Sequence, residues 1–151
     1  MALARAHNIL TQEHWKSADL HDVVADAIAP HGTDAERIAV RGPHMRVTST
    51  MALSIAMALH ELCTNAAKYG ALSTAAGQVK IDWDVDETEN GLELRLRWEE
   101  SGGPLVQPPT RTGFGSRLIR LGLARELNAA VRLDFSPSGV VCEIAAPLEI
   151  E

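Results

Sequence analysis

Glu61, Asn65 and Lys68 stand four and three residues apart within the run His60-Glu61-Leu62-Cys63-Thr64-Asn65-Ala66-Ala67-Lys68-Tyr69-Gly70. On a helix turning about 100° per residue, positions i, i+4 and i+7 fall in one stripe. A carboxylate, a carboxamide and an ammonium in such a row suit a metal ion shared with a polyphosphate. Asn offers a neutral oxygen to Mg²⁺, which keeps several waters and shares phosphate oxygens. Lys68 supplies a point charge for phosphate. Glu61 can accept a proton or orient a water or hydroxyl. Read without a ligand, the same stripe is the polar edge of a helix facing water.

Two later segments carry related chemistry. Trp98-Glu99-Glu100-Ser101-Gly102-Gly103-Pro104 ends an alternating run. Glu100 there can accept a hydrogen bond from an exocyclic amine, and Gly102 lets the backbone approach a flat ring. Its bland reading is a charged residue at a turn. Trp98 shares a face with Leu92, Leu94 and Leu96, which makes it core more readily than a stacking platform. Arg111-Thr112-Gly113-Phe114-Gly115-Ser116-Arg117-Leu118 runs directly into a helix-prone stretch. Free N–H groups at a helix start attract phosphate, although a hinge capped by Ser116 accounts for the same residues.

The elements that must position these groups follow from periodicity. Met51, Ile55, Ala58, Leu62, Ala66 and Tyr69 form an apolar stripe on a long helix capped by Thr48 or Ser49. An earlier helix runs from Ala18 to Ala29, with Ser17 as its expected N-cap and Leu20, Val23, Val24, Ala27 and Ile28 facing inward. Pro30 and Gly32 end it. Arg37–Arg41 reads as a short strand, and Met45-Arg46-Val47 as another extended piece. Gln78–Val85 and Leu92–Glu99 alternate strictly around a turn containing Asn90-Gly91, the pattern of a hairpin with one wet and one buried face. Glu100 to Gly115 is rich in Gly and Pro and reads as a binding loop or lid. Ser116–Leu127 reads as a helix, followed by a strand pair, Val131–Phe135 and Val140–Ala145. Mixed helices and half-buried strands in this order predict an α/β (α+β) two-layer sandwich, with helices on one face of a largely antiparallel sheet.

Size and composition bound the function. The 151 residues fit one domain with a sizeable core, and 46% hydrophobic against 4% aromatic residues make that core aliphatic. A net charge of −6 argues against a general nucleic-acid or anionic-membrane surface. No run approaches the roughly 20 apolar residues of a membrane span. The start of the chain lacks the apolar core of a signal peptide. Cys63 and Cys142 are the only cysteines, without metal spacing, and read as buried thiols in a reducing, cytoplasmic setting.

Taken together, the three segments resemble, in order, the N box and the two glycine boxes of the sensor histidine kinase ATP-binding domain. That domain belongs to the gyrase, Hsp90, histidine kinase and MutL superfamily. His60 in the N box, with the W-x-E of Trp98-Glu99-Glu100, is similar to the HWE subfamily. The resemblance covers about residues 18 to 148. It implies the Bergerat ATP-binding fold, with ATP and Mg²⁺ as cofactors. By the same resemblance, Asn65 would hold the Mg²⁺, Glu61 would be the base or water-orienting residue, and Lys68 would contact phosphate. Tyr69 would pack near the adenine or ribose, and Glu100 would read the adenine amine. Gly102 matches the first glycine of its box; Gly113 and Gly115, ahead of Ser116, would wrap the phosphates. Pro104, where relatives carry a second glycine, and the lack of a phenylalanine lid motif depart from the wider family.

The resemblance also implies partners. The γ-phosphoryl would pass to a histidine on a separate dimerisation domain, and from there to a response regulator. None of His7, His14, His21, His31, His44 and His60 has the setting of a phosphoacceptor. Residues 1–16 are then expected to be the remnant of that preceding helical domain, with 17–151 the ATP-binding domain. His60, one residue before Glu61, is expected to have a supporting role near it. A serine/threonine kinase or ATPase of the same superfamily, or a nucleotide-sensing module without catalysis, remain alternatives.

Overall fold

A computed structural model describes residues 17–104, 122–125 and 127–148. Strand β1 (Ser17–Asp19) leads into helix α1 (Leu20–Ile28), and a 3₁₀ segment (Ala29–Arg37) broken at Gly32 follows. Then come β2 (Ile38–Arg41), β3 (Arg46–Thr48), the 21-residue helix α2 (Ser49–Tyr69) and a short 3₁₀ turn (Ala71–Ser73). Strands β4 (Gln78–Thr88) and β5 (Gly91–Ser101) precede helical residues at 122–125 and 127, and β6 (Ala130–Ser136) and β7 (Gly139–Pro147) close the described chain.

Five strands form one sheet in the order β2-β4-β5-β7-β6, with β2 parallel to β4 and every other pair antiparallel. β1 and β3 make a separate two-stranded ribbon. The helices pack on the face carrying Val79, Ile81, Trp83, Leu94, Leu96 and Trp98, all buried. The alternation of β4 and β5 thus has its expected consequence: the opposite face carries charge, including the Arg97–Glu99 ion pair at 2.8 Å.

α2 is long because nothing interrupts it between Pro43 and Gly70. Thr48 Oγ1 accepts the Met51 N–H at 3.2 Å, and the N–H of Gly70 closes the last turn on Ala66 O at 3.0 Å. Ile55 and Leu59 are buried to within 1% exposure, each contributing roughly 1.5–3 kcal/mol relative to an exposed side chain.

Three local expectations change. Ser17 does not cap α1. It pairs with Thr48 in the small ribbon, and Asp19 takes the cap by accepting the His21 N–H at 2.8 Å. Ribbon pairing outweighs the cap preference of Ser17 because Asp19, two residues on, caps equally well. Tyr69 lies in the apolar stripe by angle yet is 75% exposed, since the stripe runs past the end of the sheet's cover at Ala66. In the β4–β5 hairpin the strands reach Thr88 and Gly91, beyond the expected ends, and Gly91 takes φ +111.

Candidate functional site

The site lies where the C-terminal half of α2 meets the end of β5. Glu61 and Asn65 are half-buried along one edge of α2, and Lys68 is exposed in its last turn. There its charge also complements the carbonyl end of the helix dipole. The structure therefore keeps the predicted stripe on an accessible edge. Among the described residues, no hydrogen bond or ion pair engages the side chains of Glu61, Asn65 or Lys68. Also among the described residues, no group of three His, Cys, Asp or Glu side chains is placed to hold a metal ion. A lone half-buried carboxamide fits a metal that brings phosphate oxygens and water as its other ligands.

Glu100 is the buried charged residue of the core, at 5% exposure. Strict alternation explains it, because Trp98 and Glu100 are two residues apart on β5 and point to the same face. Its Oε1 accepts the Ala71 N–H at 2.9 Å and its Oε2 accepts the Trp98 indole N–H at 3.0 Å. Burial pushes the carboxyl above its ordinary value, although both N–H donors pull the other way. The expectation of a carboxylate waiting for an exocyclic amine meets one whose two oxygens already hold the protein together. The sequence carried the signal for this in the i, i+2 spacing of Trp98 and Glu100.

Glycines make the junction possible. A Cβ at Gly70 would collide with Glu100 Oε1, and one at Gly139 with the Glu100 carbonyl oxygen. Gly102 has φ +72, and a Cβ there would lie 2.8 Å from Ala76 O. A Cβ at Gly103 would lie 2.6 Å from the Cα of Ala71. Gly102 thus permits the close approach of the 71–77 segment. Gly113, Gly115 and Ser116 lie outside the described residues, as does the assignment of residues 1–16.

The His60 ring packs against that of His31, with centroids 5.6 Å apart. Its Nδ1 is buried without a hydrogen-bond partner among the described residues. Sequence reasoning also passed over Arg37, taken as a strand residue. Its guanidinium reaches the carbonyls of Leu72, Thr74 and Gly77 across 35 to 40 positions of chain.

The fold is that of a histidine kinase catalytic domain. The histidine kinase domain of the blue-light-activated kinase EL346 from Erythrobacter litoralis superposes with a TM-score of 0.69. It is 22% identical, and the match covers 97% of this chain and 73% of that one. The nucleotide-free catalytic domain of the histidine kinase ThkA gives 0.64 at 19% identity, over 89% of this chain and 97% of that one. ThkA in complex with the response regulator protein TrrA gives 0.64 at 18% identity, over 97% and 48%.

Sequence narrows the class. Residues 1–44 match the HWE histidine kinase family model. Blue-light-activated histidine kinases of Brucella ovis and Brucella melitensis are each 40% identical over 151 residues, 99% of this chain. The chain spans 31% of the length of these curated relatives. In sequence it is thus similar to the HWE histidine kinases. Among the described residues no helix is long and apolar enough to cross a membrane.

Proposed function

We propose that this chain binds Mg-ATP and donates its γ-phosphoryl group to a histidine on a separate dimerisation domain, as the catalytic domain of a cytoplasmic two-component kinase. The observation that carries the reading is the uncommitted Glu61/Asn65/Lys68 edge beside the closed Gly70–Glu100–Gly102 corner. One side offers charge and oxygen to phosphates, and the other offers a tight backbone wall for a flat ring.

In this reading Asn65 would hold Mg²⁺, which would supply positive charge to offset that of the phosphates. Lys68 attracts the phosphate chain. Tyr69, exposed on the last turn, covers the ribose or adenine. Glu100 contributes to adenine reading through whatever lone pairs Ala71 and Trp98 leave, and chiefly by fixing the wall. Gly113, Gly115 and Ser116 enclose the phosphates. Glu61 accepts the proton of the attacking imidazole, so catalysis rests on positioning and electrostatics. The phosphoryl group then passes to a response regulator; the complex of ThkA with TrrA is the precedent among structural neighbours.

The test is transfer from labelled ATP to the phosphoacceptor region of the full-length parent. Glu61→Gln should retain ATP binding and lose most acid-labile phosphohistidine. Normal transfer by that variant would remove Glu61 as the base.

A further inference from the structure

Arg37 belongs to none of the three motifs, yet it organises the ground between them. Nη1 donates to Thr74 O and, at 3.0 Å, to Gly77 O, while Nη2 donates to Leu72 O at 3.0 Å. One planar fork thus gathers three carbonyls of the seven-residue arch, residues 71–77, that leaves α2 and enters β4. A guanidinium suits this task because its donors diverge in a plane, whereas an ammonium concentrates them on one atom.

That arch is the contact surface for both halves of the site. Its first residue, Ala71, donates to Glu100 and lies against Gly103. Thr74 Oγ1 donates to Gly102 O at 3.4 Å, and Ala76 O closes on Gly102. The arch starts two residues after the helix end that carries Asn65, Lys68 and Tyr69. Arg37 is itself fixed from behind, because the next residue, Ile38, begins β2 in parallel register with Val79 of β4.

We infer that Arg37 is a positioning residue for nucleotide binding: it sets the arch, and the arch sets the spacing between the α2 edge and the Glu100–Gly102 wall. This rests on the nucleotide-binding reading above. Arg37 acts without touching the nucleotide, so its loss weakens affinity while the folded domain persists.

Calorimetric titration of wild type, Arg37→Lys and Arg37→Ala with Mg-ATP tests this, alongside amide hydrogen exchange across residues 71–77. Arg37→Ala should bind roughly tenfold or more weakly, since small misplacements of binding groups are costly. Its amides in the arch should exchange faster while those of β5 and β7 stay protected. Arg37→Lys should fall between. Millimolar guanidinium or methylguanidinium should restore much of the affinity of Arg37→Ala and none of a variant lacking Asn65. Should Arg37→Ala fail to fold, the comparison of Arg37→Lys with wild type decides the matter. Wild-type affinity in the variants, with wild type binding ATP, overturns the role of Arg37 alone. No ATP binding by folded wild type overturns the nucleotide reading and this inference with it.

Discussion

The indole N–H of Trp98 donates to Glu100 Oε2 at 3.0 Å, both side chains lying on the buried face of β5. The W-x-E spacing is therefore a physical pair, in which a core aromatic supplies a donor to an otherwise costly buried carboxylate. With the Ala71 N–H on the other oxygen, Glu100 joins the sheet to the exit of α2.

Removing the donor should expose that cost. Trp98→Phe leaves one Glu100 oxygen buried without its partner, a penalty of about 1–3 kcal/mol before the lost ring volume is added. It also removes one of the two groups holding the carboxyl down, so Glu100 should ionise at still higher pH. Urea unfolding, with carboxyl NMR titration of Glu100, measures both effects.

The pH dependence has a definite sign. Burial raises Glu100 above its ordinary 4.5, outweighing the Ala71 and Trp98 hydrogen bonds. A carboxyl that ionises later when folded binds its proton more tightly in the folded state. Its contribution to stability is complete below 4.5 and is lost as pH rises through the folded value. The stability of wild type relative to Glu100→Gln should therefore fall as pH rises from 4.5. A pH-independent difference between the two would contradict the assignment.

Gly70→Ala should destabilise the domain by its collision with Glu100 and not by backbone strain, since φ is −115° at that position. In a double-mutant cycle with Glu100→Ala, the two losses should be non-additive by about 0.5–3 kcal/mol. Additive losses would separate the residues energetically.

At the other end of the domain, burial pushes the Asp19 carboxyl up, but the His21 amide and the His44 and His21 side chains hold it below 3.8. This contribution is present above 3.8 and fades as pH falls through the folded value. Asp19→Ala should cost about 0.5–2 kcal/mol, and Asp19→Asn far less, because Asn caps as well as Asp. Thermal unfolding at neutral pH distinguishes them.

Much of this was legible because it is local. Alternation in Gln78–Val85 and Leu92–Glu99 found the hairpin and its wet face, and the Gly/Pro-free run found α2 with its cap at Thr48. The polar stripe of Glu61, Asn65 and Lys68 came from spacing alone. What escaped depends on partners distant in sequence. The ribbon with Thr48 moved the α1 cap from Ser17 to Asp19. The limit of the sheet left Tyr69 exposed, and His60 has His31, 29 positions away, as its ring neighbour. Arg37 finds its carbonyls only after β2 has paired with β4. Glu100 looked like a turn residue until its alternation with Trp98 was followed inward.

The central claim is that the edge of α2 and the end of β5 hold one Mg-bound nucleotide. Isothermal titration of the folded chain with ATP, with and without Mg²⁺, in wild type and Asn65→Ala, tests it most directly. Wild type should bind saturably with an affinity that Mg²⁺ strengthens, and Asn65→Ala should lose that strengthening. Equal Mg²⁺-dependent affinity in the two proteins, or no binding by folded wild type, would contradict it.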